Sequence, residues 1–173
     1  MMRHKIIALL TAIGLIIGIM FGTSTMAKAD TYDELVMSEN HSWCVTGDNV
    51  PYNGSPVFLY QCFDDTNQEF AWTPVGGGYY VLIYGRLGSD NSIYVLSRGN
   101  GGEGTPYVLW KYQPGVTAER WYMETNAGLI SFTNAVDSLE LALDGNVLQN
   151  YQDMISWHFI WGAPYEQLQF LGT

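Results

Sequence analysis

Three stretches of this chain can be laid under one another, and that repetition narrows the possible folds more than any single motif. "SWCVTGDN" (42–49), "SIYVLSRGN" (92–100) and "SLELALDGN" (138–146) each open on serine, pass through apolar residues and end in a Gly/Asp/Asn turn. The pattern continues in "GSPVFLYQC" (54–62), "GTPYVLWKY" (104–112) and, more faintly, "VLQNY" (147–151). Next come "NQEFAW" (67–72), "AERWYM" (118–123) and "SWHFIW" (156–161), and after them "GYYVLIY", "GLISFTN" and "EQLQFLGT". A unit of about forty to fifty residues cannot bury a core alone, so three of them must pack on one another. Closing them around a pseudo-threefold axis removes exposed sheet edges and lets each unit contribute one aromatic to a shared core. Phe70, Trp121 and Phe159 are the residues expected there.

The local pattern is all-β. No segment sustains a helical period, whereas short β-branched and aromatic runs ("WCVT", "VFLYQCF", "EFAWTPV", "YYVLIYG", "SIYVLS", "YVLWKY", "RWYME", "LISFT", "LQFLG") alternate with Gly, Asn, Asp and Pro clusters. "AVDSLELALDG" has helical character by itself, but its alignment with the other copies predicts a strand.

The chain's start has the layout of a secretory signal peptide: a basic "MMRHK", an apolar run over 6–21 and a small-x-small site at Ala27-Lys28-Ala29. Cleavage after Ala29 is expected, leaving 30–173 as one exported domain without integral membrane association. That domain holds four bases, Arg86, Arg98, Lys111 and Arg120, against 17 acids, a formal charge of −13. Such a surface repels phosphate backbones, which excludes nucleic acid as a partner. In an oxidising compartment Cys44 and Cys62 most simply form one disulfide. Metal ligation is the alternative, but no histidine pair sits at ligand spacing, and neither metal nor cofactor is expected.

Catalysis finds little support. His41 and His158 are the histidines of the exported part, no Gly-x-Ser-x-Gly elbow occurs, and "GNGGEG" (99–104) lacks the Lys-Ser/Thr of a phosphate loop. Asp64 and Asp65 are adjacent, and neighbouring acids in extended chain point apart.

Cys44-Val45-Thr46, "NGSPVFLYQC" and Asn67-Gln68-Glu69-Phe70 together resemble a repeat of the ricin-type β-trefoil lectins. Units of that family carry a cysteine-apolar-aspartate start, an aromatic two residues before a second cysteine, and a terminal Gln-x-Trp. The resemblance spans about Val36 to Phe170 and implies a β-trefoil with repeats at approximately 36–83, 84–133 and 134–173. It also implies a disulfide within the first unit, the same pairing of Cys44 with Cys62. The Gln-x-Trp has become Gln-Glu-Phe at 68–70, Glu-Arg-Trp at 119–121 and Trp-His-Phe at 157–159.

Carried over residue by residue, the resemblance puts one sugar site in the first unit. Tyr60 would stack on a pyranose, Asn67 and Gln68 would grip its hydroxyls, and Thr46 takes the place of the family's carboxylate. A hydroxyl is a weaker acceptor than a carboxylate, so Asp48, two residues on, is the candidate to supply the charge. The second unit keeps Trp110 but has Leu96 and Ala118-Glu119 at the polar positions; the third has Ala142, then Asp144, and no evident aromatic. The expected function is a secreted, non-catalytic carbohydrate-binding module with at most one weak galactoside-type site, its partner a glycan or glycoprotein. The alternatives are a protein-binding trefoil, such as a toxin's binding subunit, and a secreted protease inhibitor presenting "GRLGSDNS" (85–92).

Overall fold

The computed structural model describes residues 32–126 and 129–158, together with 160, 163 and 166–171. The expected signal segment 1–29 and Phe159 lie outside the described residues.

Every run read as a strand from its alternation is one. The described chain folds into β1 (Asp33–Met37), β2 (Trp43–Gly47), β3 (Ser55–Gln61), β4 (Glu69–Gly76), β5 (Tyr79–Leu87) and β6 (Ile93–Ser97). It continues with β7 (Val108–Lys111), β8 (Trp121–Asn126), β9 (Leu129–Asn134), β10 (Glu140–Leu143), β11 (Gln152–Trp157) and β12 (Leu168–Leu171). The ambiguous "AVDSLELALDG" contributes β10, as its alignment predicted. In β3 the period of two is visible residue by residue: Ser55, Val57 and Leu59 are buried, while Phe58 and Tyr60 stay partly open. That alternation is what delivers two aromatic rings to the outer face of the sheet.

Consecutive strands form antiparallel hairpins β2–β3, β4–β5, β6–β7, β8–β9 and β10–β11, and β1 pairs with the last strand, β12. β3 also pairs with both β7 and β11, and a bridge between Pro106 and Ile155 links the remaining side. The sheet therefore closes on itself, and the edges of these strands find partners within the chain.

The main interior cluster is fed from all parts of the chain, with Phe70, Trp121, Phe132, Tyr107 and Leu168 fully buried, and a smaller one joins Ala71, Val81, Ile83 and Val95. Phe70, Trp121 and Leu168 are structurally equivalent: they pair across the ladder with Asp33, Tyr80 and Ile130. Each follows a turn whose acid or amide accepts a backbone N–H. Gln68 Oε1 accepts from Phe63 (2.8 Å), Glu119 Oε2 from Gln113 (2.9 Å) and Glu166 Oε2 from Ile160 (2.8 Å).

This corrects the third copy of the repeat. Its counterpart to Gln-x-Trp is Glu166-Gln167-Leu168, not Trp157-His158-Phe159, and "VLQNY" precedes the strand instead of forming it. A buried leucine fills the shared core as well as an aromatic does, so the aromatic pattern pointed to the wrong segment.

The disulfide joins Cys44 in β2 to Cys62, just past β3, as expected. With its ends 18 positions apart in sequence, chain-entropy reasoning gives about 3 kcal/mol of stabilisation. A Cys44→Ala/Cys62→Ala double variant should therefore lose about 3 kcal/mol in urea unfolding. A loss below about 1 kcal/mol would show that hairpin β2–β3 holds its end of the domain without the crosslink.

Candidate functional site

The β2 and β3 strands bring four of the five expected site residues to one hollow of about 280 Å³. Thr46, Asp48, Tyr60 and Asn67 line it, with Phe58, Phe63 and Tyr151 completing the wall. Asp48 sits in the turn after β2, Tyr60 on the outward face of β3, and Asn67 in the 3-10 turn Thr66–Gln68.

Their surroundings separate ligand-facing groups from supporting ones. Gln68 is fully buried, and its amide is used internally: besides accepting from Phe63, it donates to Thr46 Oγ1 and to the Gln61 carbonyl, both at 3.0 Å. It is not among the residues that line the hollow, whereas the resemblance implies that it grips sugar hydroxyls. Thr46 is likewise 2 % exposed, its hydroxyl donating to the Cys44 carbonyl while accepting from Gln68.

Asn67 is different. Its residue is buried, yet Oδ1 has no hydrogen-bond partner among the described residues. An acceptor left in that state is costly unless something donates to it.

Tyr84, from β5, ties the two polar residues together. Its buried hydroxyl lies 2.9 Å from the Asp48 carbonyl and 3.2 Å from that of Asn67, so it can donate to either. Burial pushes this phenol well above its ordinary range, so it stays a donor across physiological pH. A tyrosine thirty-six residues from Asp48 carries no local signal of this role, and sequence reading missed it.

The aromatic wall also went unseen in part. Tyr60 packs edge-on against Phe63 (5.7 Å, 81°) and against Tyr151 (5.2 Å, 72°), while Phe58 and Tyr151 lie 5.2 Å apart. Tyr151 comes from the loop between β10 and β11, far along the chain. Its backbone is left-handed, at φ 63°. For an aromatic residue that conformation costs on the order of 1 kcal/mol.

A second hollow of about 330 Å³ lies at β10–β11, lined by Asp144, Trp157, His158 and Ile160 among others. Trp157 pairs across the hairpin with Glu140 as Tyr60 pairs with Cys44, so the third copy does carry an aromatic at Tyr60's position. The shifted alignment had hidden it. Its rim bears the contact between the exposed His158 ring and the Glu103 carboxylate. In the second copy the register places Ser97, not Leu96, opposite Val108, as Thr46 stands opposite Phe58.

No family model matches the chain, and neither does any curated protein sequence. Solved structures do. The designed threefold-symmetric protein ThreeFoil superimposes with a TM-score of 0.73 at 18 % identity, over 82 % of this chain and 99 % of that one. A mosquitocidal holotoxin gives 0.72 at 18 % identity over 85 % of this chain, which spans 18 % of the toxin's length. The C-terminal half of the earthworm R-type lectin, solved in complex with GalNAc, gives 0.57 at 10 % identity, covering 83 % and 99 % of the two chains. These likenesses establish a trefoil fold.

Proposed function

We propose that this chain is a secreted, non-catalytic carbohydrate-binding module that holds a galactoside-type sugar in the hollow at Asp48, Tyr60 and Asn67. One observation carries the reading: a partly open aromatic face, the Asp48 carboxylate and the Asn67 side chain converge on one hollow. Sugar recognition needs that combination, because a pyranose presents an apolar face for stacking and hydroxyls that donate to a carboxylate or amide oxygen. The earthworm lectin half and its GalNAc complex support the assignment through the shared fold.

Export would proceed through residues 1–29, and the Cys44–Cys62 disulfide is compatible with an oxidising destination. The domain 30–173 is proposed to consist of three units. The strand pairings favour bounds near 33–76, 79–126 and 129–171, one strand offset from the division suggested by sequence alone.

The test is a glycan-array screen of residues 30–173 beside a Tyr60→Ala variant, with circular dichroism as the folding control. Tyr60 is half-buried on the outward face of β3, so the variant should remain folded and lose glycan binding. Binding that survives Tyr60→Ala would move the site away from this hollow, and the one at Trp157 would be the next to mutate.

A second reading is a protein-binding trefoil, such as a toxin's binding subunit; part of a mosquitocidal holotoxin shares the fold. The exposed rings of Phe63 and Tyr151 favour it, since aromatic surface also anchors protein partners. Silence across the array together with capture of a discrete protein partner would select it. The inhibitor reading is weaker: Arg86, in the segment 85–92, is held by the Asp65 carboxylate and is not free to enter a protease pocket.

A further inference from the structure

We propose that Tyr151 is a specificity-determining residue, placed so that its ring receives the second residue of a bound glycan while the first stacks on Tyr60. The inference rests on the sugar-binding reading of the hollow.

Three loop positions are equivalent in this fold. The amide of Gly54 donates to the Leu109 carbonyl (2.9 Å), that of Gly104 to Ser156 (2.6 Å) and that of Tyr151 to Leu59 (2.9 Å). All three are left-handed, with φ of 90°, 76° and 63°. Glycine adopts this conformation freely and a tyrosine does not, so the position itself calls for glycine. Two of the copies have it, and the third carries one of the bulkiest side chains available.

Core packing does not account for the exception. Tyr151 is 70 % exposed, the most open of the four rings around the hollow. Its ring contacts are with Phe58 and, edge-on, Tyr60, two residues that themselves line the hollow. The Tyr60 and Tyr151 rings meet at 72°, which makes a corner and not a single platform. A pyranose lying flat on Tyr60 then has its outer edge toward Tyr151. A sugar linked there finds a second apolar face, whereas a monosaccharide does not extend to it.

The arrangement therefore predicts selection by glycan length. Titration calorimetry would compare methyl β-galactoside with lactose, on the wild-type domain and on Tyr151→Gly, which restores the residue found at both equivalent positions. Wild type is expected to bind lactose more tightly than the methyl glycoside. Tyr151→Gly should weaken lactose about tenfold more than it weakens methyl β-galactoside, and unfold at no lower urea concentration than wild type. Tyr151→Asn, which also tolerates the left-handed backbone, provides a second non-aromatic variant should the glycine loosen the loop, and Tyr151→Phe should keep the preference.

Unchanged lactose affinity in Tyr151→Gly, or an equal loss for both probes, would overturn the proposal. In the latter case the ring merely braces Tyr60. The underlying reading fails separately: wild type that binds neither probe refutes the galactoside site, and this inference with it. Loss of both probes in Tyr60→Ala, with Tyr151→Gly unaffected, refutes the inference alone.

Discussion

Replacing Trp121 by alanine is expected to destabilise the domain by about 3 to 5 kcal/mol, the range for deleting a buried aromatic side chain. Trp121 is fully buried at the start of β8, with its ring 5.0 Å from that of Tyr107. Its indole N–H donates to the Leu96 carbonyl at 3.1 Å, so truncation would also strand a buried acceptor. Trp121→Phe separates the two effects. Phenylalanine is the residue at the equivalent position 70, and it should fill most of the space while losing the hydrogen bond. A cost of about 1 to 2 kcal/mol is expected for that change, read from urea midpoints at constant slope. Were the alanine variant to lose less than about 1 kcal/mol, the shared core would not depend on this ring.

The second large effect is a dependence of stability on pH whose origin is the turn occupied by Gln68, Glu119 and Glu166. At Gln68 a neutral amide does two jobs, accepting one backbone N–H and donating to a carbonyl and a hydroxyl. Glu119 does the first job through Oε2, but its Oε1 is buried without a partner among the described residues. Only the protonated carboxyl can donate as the amide does. Burial accordingly pushes the Glu119 carboxyl up to about 7. Glu140 is also pushed up to about 7, first by burial and then by the neighbouring Glu166 carboxylate, and Glu166 itself is raised by burial.

The sign follows from linkage. These acids hold their protons in the folded chain at pH values where the unfolded chain, with an ordinary glutamate range near 4.3, has released them. Stability should thus be highest near pH 4.5 to 5 and fall as pH rises toward 7, then level off. The steepest loss is about 1 kcal/mol per pH unit for each such carboxyl. Below that window the trend reverses, because the Asp65 carboxylate, lowered by its contact with Arg86, must then be protonated. Urea unfolding at pH 5, 6, 7 and 8 checks the profile. Glu119→Gln should raise stability at pH 8 and flatten the slope, reproducing the arrangement that Gln68 already has. A wild-type profile that rises from pH 5 to 8 would contradict the assignment.

Much of this was legible in the residues, and the reasons are local. Alternation of large apolar and polar side chains is a property of neighbours, so strands such as β3 and β6 follow from their own few residues. Tyr60 could be placed on an outward face, and Asp48 in the turn before it, by the same logic. The pairing of Cys44 with Cys62 followed from there being two cysteines in an exported chain.

What only the tertiary structure decided depends on groups brought together from distant parts of the chain. Leu168 took the core position assigned to an aromatic, because burial selects volume and not ring chemistry. Gln68 and Asn67 are adjacent in sequence, yet one is consumed by internal hydrogen bonds and the other is left with a free acceptor. Tyr84 and Tyr151 reach the hollow from other strands and loops, so no short motif could announce them. Local periodicity thus determined which segments are strands. Long-range pairing decided which of their side chains meet, and the candidate site is made of those meetings.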